Sequence, residues 1–228
     1  TQQGAKFITC TPSDEVLIKQ LAAELHAQFQ EATVVLINSP LAQDQSAEQQ
    51  FIKAFQAPSS AQSKLKLQQA SWSTYKKFKA IGGPLVYVSL SSDRVKVQEL
   101  LQFCSTDSSL MVAGTKDWLD WKEISKNPAL NASFVVAVPS YFSYQAHSTI
   151  PLHKLYRRKY SADLTKMACL GYDVTFLIGQ QLLGNTKQQQ GYISKMKFQN
   201  RANGLGIENT LAPVVLYQNG ELIEINGH

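Results

Sequence analysis

The chain has 228 residues, 44% hydrophobic and 17% charged, with a formal net charge of +5. That length carries one large core or two modest ones, and no stretch approaches the roughly 18 consecutive apolar residues of a membrane span. Cys10, Cys104 and Cys169 are too few and too far apart for a disulfide framework or a paired-cysteine metal site. There is no internal repeat and no low-complexity tract.

The opening Thr-Gln-Gln-Gly-Ala-Lys has no signal-peptide apolar run, and a removed leader would leave the same ends, so compartment is not settled by it. From Phe7 to about Ser140 short β-rich runs alternate with amphipathic stretches, the pattern of βαβ units and a largely parallel sheet. Ser13 is placed to cap the first helix, Asp14 and Glu15 lie in its first turn, and Leu17, Leu21, Leu25 and Phe29 recur every four residues. Residues 33–37 (TVVLI) read as a strand covered on both faces. Ser46 and Gln49 form a capping-box pattern ahead of Phe51, Ile52 and Phe55, and Pro58 ends that helix.

Residues 64–68 (KLKLQ) alternate like an edge strand, and a short helix with Trp72, Tyr75 and Phe78 runs up to Gly82-Gly83-Pro84. A buried strand follows at 85–90. Asp93 is set to cap a helix with Val97, Leu100, Leu101 and Cys104 on one face. A strand at 110–113, a helix with Trp118, Trp121 and Ile124, and a strand at 134–138 complete this region. From Thr149 the topology changes, because helices at 149–160 and 163–183 run nearly back to back. Beyond Gly191 the chain reads as β: a strand at 193–199, a turn at Asn203-Gly204, and strands at 212–218 and 221–225 joined by Asn219-Gly220, a strong hairpin signal.

Catalytic signatures are weak. His26, His147, His153 and His228 are scattered, which argues against a metal site. Ser73-Thr-Tyr-Lys76 matches the Ser-x-x-Lys pattern of penicillin-recognising enzymes, but Ser92-Asp93-Arg94 is not Ser-Asp-Asn and no Lys-Thr-Gly occurs, so a surface turn is the better reading. Gly204-Leu-Gly206 lacks the third glycine of a dinucleotide loop. Asp117 and Asp120 read as a solvated face rather than an acid/base pair. Lys154, Arg157, Arg158 and Lys159 cluster on a predicted helix beside Leu152, Leu155 and Tyr156; a solvated face is the reading there, and nucleic acid is not expected. No catalysis and no cofactor are expected.

Several phrases resemble the type I periplasmic solute-binding proteins that serve branched-chain amino acid ABC transporters. They are 7–15 (FITCTPSDE), 83–92 (GPLVYVSLSS), 110–115 (LMVAGT), 169–183 with its Gly171-Tyr172-Asp173, and the closing hairpin at 214–225. The resemblance implies an α/β fold with a Rossmann-like parallel sheet flanked by helices, followed by a helical pair and a β-hairpin. It also implies that residues 1–142 form a second lobe, that 143–212 normally pack on a first lobe whose counterpart is absent, and that 213–228 return to the second lobe.

Such folds bind solutes just outside the carboxyl ends of the strands. By position, Asn38, Ser39, Gln45, Ser89, Ser91, Thr115, Lys116 and Tyr141 are the expected ligand contacts, each with an alternative as a cap or loop residue. Family amino-acid sites commonly present an acidic group here; this chain offers Thr115 and Lys116, with Asp117 the only nearby carboxylate. The expectation is a non-catalytic binding protein of the periplasm or cell envelope, taking a small polar solute such as an amino acid. The rival is a ligand-free interaction or scaffold protein, peptidoglycan-associated in some relatives, that dimerises through the face left by the missing lobe.

Overall fold

Burial along the strands sets the architecture. In the strand Thr33–Asn38 the first five residues are all buried, as is every residue of Leu85–Val88, so both faces of the sheet they belong to are covered. The structure is a computed structural model and describes residues 7–29, 31–57, 65–78, 84–125, 127, 130, 133–144, 146–147, 149–183, 193, 196–200, 206–218 and 220–225. In chain order its strands are β1 (Phe7–Thr9), β2 (Thr33–Asn38), β3 (Lys66–Ser71), β4 (Leu85–Val88), β5 (Leu110–Gly114), β6 (Ser133–Ala137), β7 (Phe198–Asn200), β8 (Gly206–Asn209), β9 (Val214–Gln218) and β10 (Glu221–Glu224). The helices are α1 (Asp14–Gln28), α2 (Ala42–Phe55), α3 (Arg94–Cys104), α4 (Lys122–Ser125), α5 (Thr149–Tyr160) and α6 (Lys166–Leu182).

Two compact units result. The larger takes Leu17–Val138 and the described residues from Pro213 onward; the smaller takes the described residues up to Val16 and Pro139–Ala212. The larger unit holds a seven-stranded sheet in the order β10-β9-β6-β5-β4-β2-β3, parallel from β3 to β6 and antiparallel at β9 and β10. Leu21 and Leu25 of α1, Phe51 and Phe55 of α2, and Val97, Leu100 and Leu101 of α3 are buried, as the sequence spacing predicts. Asp93 caps α3 by accepting from Val95 N and Lys96 N. The β9–β10 hairpin pairs Gln218 with Glu221, and Gly220 supplies the positive φ of +82° that such a turn requires.

The smaller unit pairs β1, β8 and β7 in that order, β1 and β8 being parallel. Gly206 (φ +136°) lies so close to Phe7 O that a Cβ there would stand 2.3 Å from it. Leu152, Leu164 and Cys169 form the unit's small core, with Phe142, Tyr156 and Ile193 packed on it. Buried Asn209 joins three segments: it accepts from Lys197 N and Leu211 N and donates to Cys10 O. Asp173, fully buried on α6, accepts from Ile193 N.

Several sequence expectations change. The N-terminal segment, expected in the large lobe, opens with β1, whose hydrogen bonds are to β8 of the smaller sheet. Helix α2 starts at Ala42, four residues before Ser46; its N-cap Leu41 makes no side-chain cap bond. Around Trp72 only a 3₁₀ turn at Tyr75–Lys77 forms, because Thr74 Oγ1 accepts from Ser71 N and satisfies the backbone locally. Trp118 likewise lies in a 3₁₀ turn, Lys116–Asp120, ahead of the four-residue α4. The strand expected at 193–199 begins at Phe198, and β8 was not anticipated. The helix stop at Pro58, Gly82-Gly83, Asn203-Gly204, Asn219 and His228 lie outside the described residues.

Gly114 is where space is tightest, since a Cβ there would stand 2.3 Å from the buried Trp118 ring. That ring packs edge-on against Phe134, which stacks on Tyr217. Gly114→Ala should therefore destabilise the larger unit by about 1–3 kcal/mol through overpacking. Urea denaturation checks this, and an unchanged midpoint would contradict the packing described.

Candidate functional site

The strand order β3-β2-β4-β5 reverses direction between β2 and β4: the chain steps outward from β2 to β3, then returns to β4 on the other side. In α/β folds this switch point, at the carboxyl ends of the strands, is where ligand crevices lie. Here Ser39 follows β2, while Ser89, Ser91 and Ser92 follow β4, and the two loops meet with Ser39 Oγ 3.2 Å from Ser91 Oγ.

Two carboxylates from α2 tie these loops together. Ser39 Oγ donates to Asp44 Oδ2 at 2.6 Å, Ser39 N donates to Glu48 Oε1 at 2.6 Å, and Ser92 N donates to Asp44 Oδ2 at 3.1 Å. Gln43 Nε2 donates to Ser92 Oγ, and Asp93 N to Ser91 Oγ. Asp44 and Glu48 are only 5% and 7% exposed, which is tolerable for carboxylates because loop N–H and O–H groups donate to them. Burial pushes the Glu48 carboxyl above its usual range; the Ser39 N–H pulls it back and the charge of Asp44 pushes it up further.

The expected contacts divide accordingly. Ser39, Ser89 and Ser91 are buried, with their hydroxyls on protein partners: Ser39 and Ser91 as above, and Ser89 Oγ accepting from Ser91 N. Asn38 is exposed and donates to Gln69 Oε1 of the neighbouring strand β3. Gln45 is exposed in the first turn of α2. Thr115 and Lys116 are half-buried after β5, with Lys116 Nζ 3.9 Å from Asp117 Oδ1. Tyr141 belongs to the smaller unit.

Asp44 and Glu48 were missed, although a signal existed. Positions 44, 48, 51 and 55 fall on one helical stripe, so two carboxylates share the buried face of Phe51 and Phe55. Ser71, at the end of β3, bonds through its hydroxyl to Ser73 Oγ and Thr74 Oγ1 of the following turn.

The Ser-x-x-Lys residues do not meet as a nucleophile and base. Ser73 Oγ bonds Ser71 Oγ, while Lys76 Nζ stands over the rings of Tyr75 and Phe103, 5.6 and 5.5 Å from their centroids. Burial pushes the Cys104 thiol up to about 12 and Cys169 up to about 11, away from thiolate chemistry. Among the described residues no three His, Cys, Asp or Glu side chains are grouped to hold a metal. No described helix is long and apolar enough to cross a membrane. In the smaller unit an apolar hollow of about 100 Å³ is lined by Ile8, Cys10, Leu177, Ile178, Phe198 and Ile207 among others.

No protein-family model and no curated protein matches this chain. Solved structures do. An ABC transporter substrate-binding protein from Desulfitobacterium hafniense is 16% identical with a TM-score of 0.62, covering 94% of this chain and 66% of its own; the same description in complex with Leu gives 0.59. A putative branched-chain amino acid ABC transporter from Rhodospirillum rubrum is 14% identical with a TM-score of 0.57, over 95% of this chain and 66% of its own. Full-length LpoA from Haemophilus influenzae is 13% identical with a TM-score of 0.52, over 93% of this chain and 39% of its own. The chain has the type I periplasmic-binding-protein fold, and it spans just under two thirds of the length of the transporter-type proteins it matches.

Glu48 makes stability depend on pH. Because the folded-state pKa of Glu48 is raised, its stabilising contribution is full below the ordinary value of 4.5 and is lost as pH rises through the folded-state value. Glu48→Gln keeps an acceptor for Ser39 N, so its stability relative to the parent should improve from pH 4.5 toward neutrality. Glu48→Ala strands that buried N–H and should cost about 1–3 kcal/mol. Urea titrations across this range measure both; parallel pH profiles for parent and Glu48→Gln would contradict the assignment.

Proposed function

We propose that this chain is a non-catalytic binding protein of the cell envelope, holding a small polar solute outside the carboxyl ends of β2, β4 and β5. The supporting observation is the switch point between β2 and β4, where buried Asp44 and Glu48 hold the two serine loops in one arrangement. In this reading Asn38, Gln45, Thr115 and Lys116 meet the solute directly. Ser39, Ser89 and Ser91 form the floor beneath it, and Tyr141, in the smaller unit, is left out.

The neighbours suggest an amino acid or similar solute, since one is described in complex with Leu. The nearby carboxylates narrow that choice. Asp44 and Glu48 serve Ser39 and Ser92, Asp93 caps α3, and Asp117 lies beside Lys116. A solute recognised through its oxygens fits this rim better than one recognised through an ammonium group.

A second reading rests on a separate observation. In the smaller unit Ile8 and Ile178, 46% and 47% exposed, line one apolar hollow with Leu177, Phe198 and Ile207, and a contiguous apolar surface is commonly an interface. A second copy, or a further lobe as in the longer proteins of this fold, would cover them and make the chain an interaction module.

Thermal-shift screening with amino acids, short peptides and cell-wall fragments, run beside light scattering, separates the two. The first reading predicts a melting temperature that rises with solute concentration, because binding to the folded state stabilises it. A silent screen with a clean dimer mass would overturn it in favour of the second.

A further inference from the structure

Helix α6 has two charged residues among its 17, Lys166 at its first position and Asp173, and Asp173 is fully buried. Met167, Gly171, Thr175 and Ile178 succeed one another at helical spacing and share the side opposite buried Cys169, Asp173 and Leu177. In a chain that is 17% charged, this outward side carries no charge beyond the Lys166 end, whereas a solvated helix face ordinarily carries charged groups along its length. Met167 is 72% exposed there, Ile178 47% and Tyr172, on its flank, 40%. Thr175 Oγ1 donates to Gly171 O, so the hydroxyl is engaged within the helix and the methyl group is left for contact.

Glycine is a poor helix former, and packing within the chain explains neither Gly171 nor Gly179, since a Cβ at either would meet nothing within 4 Å. With Thr175 midway between them, the two glycines form an i+4 row flanked by Met167 and Ile178 on one side and Tyr172 on the other, a groove into which the ridge of a second helix fits. The face matches a copy of itself. Two α6 helices related by a two-fold axis at Thr175 run antiparallel, set Gly171 of each copy opposite Gly179 of the other, and oppose their dipoles. The same arrangement holds the two Lys166 side chains at opposite ends, where a parallel pair would bring them together, and a charged partner would find nothing on this face to pair with. Ile178 also stands at the mouth of the apolar hollow, so the uncharged surface continues from α6 into it. We infer that the chain associates as a two-fold dimer through the outward face of α6; this rests on the reading of the smaller unit as an interaction module and names its partner as a second copy.

The test is sedimentation velocity of the full chain over a range of concentrations with no solute present. A dimer that dissociates on dilution is expected. Gly171→Leu and Gly179→Leu should each raise its dissociation constant about tenfold or more by overfilling the groove. The thermal midpoint of the dilute monomer should hold or rise in both variants, because the added side chain meets open space within the chain itself. Thr175→Cys, beside the axis, should cross-link into dimers under mild oxidation where the parent chain does not. A chain that stays monomeric at every concentration, or a dimer that neither leucine weakens, would overturn the inference. A dimer lost instead in Ile8→Arg would move the interface to the hollow and leave the interaction reading standing, and a monomer that binds solute would leave the solute reading standing.

Discussion

Two carboxylates one helical turn apart, Asp44 and Glu48, are buried on the stripe of α2 that also carries Phe51 and Phe55. Carboxylates in such a position are costly unless every exposed lone pair is met, and the nearest donors are the backbone and hydroxyl groups of the loops after β2 and β4. Meeting that demand draws Ser39 and Ser92 inward and fixes the path of both loops. The position of α2, the closure of the switch point and the setting of the strand-end residues all depend on it. A hydrophobic pair at 44 and 48 would pack the helix as well, but would leave the loops free to choose other paths.

The smaller unit uses the same device with a different side chain. Its three strands are only three or four residues long, and a sheet that short has little stability of its own. Asn209 links the end of β1, the approach to β7 and the exit from β8, while Asp173 holds Ile193 against α6. Each unit thus spends buried polar groups on segments that apolar contacts alone would leave loosely defined.

Periodic and strongly buried elements were legible in the sequence. The runs at β2, β4 and β6 are continuous apolar strands, α5 starts and ends where its pattern does, and Asp93 caps α3 as its position suggests. Short elements were not. Strand β8 reads Gly-Ile-Glu-Asn, too brief and polar to alternate, and β1 gives no local sign that its partner lies about 200 residues away. The Trp72 and Trp118 stretches have helical spacing, yet local Ser/Thr hydrogen bonds and the tight seat of Trp118 on Gly114 stop them after one 3₁₀ turn. Strand-end positions of the candidate residues followed from topology, but the burial of Ser39 did not, because its partners are two carboxylates that look like ordinary helix-surface acids.

The type I periplasmic-binding fold follows from the sheet and its structural neighbours, whereas the solute site is a proposal built on the chemistry at one switch point. The most direct test is an amide NMR titration of the ¹⁵N-labelled chain with a pool of amino acids and small polyols. Shifts that saturate and cluster at Asn38, Ser39, Ser91, Ser92, Thr115 and Lys116 are predicted. Saturating shifts confined to other parts of the chain, or none at millimolar solute, would contradict a solute site at the β2–β4 switch point.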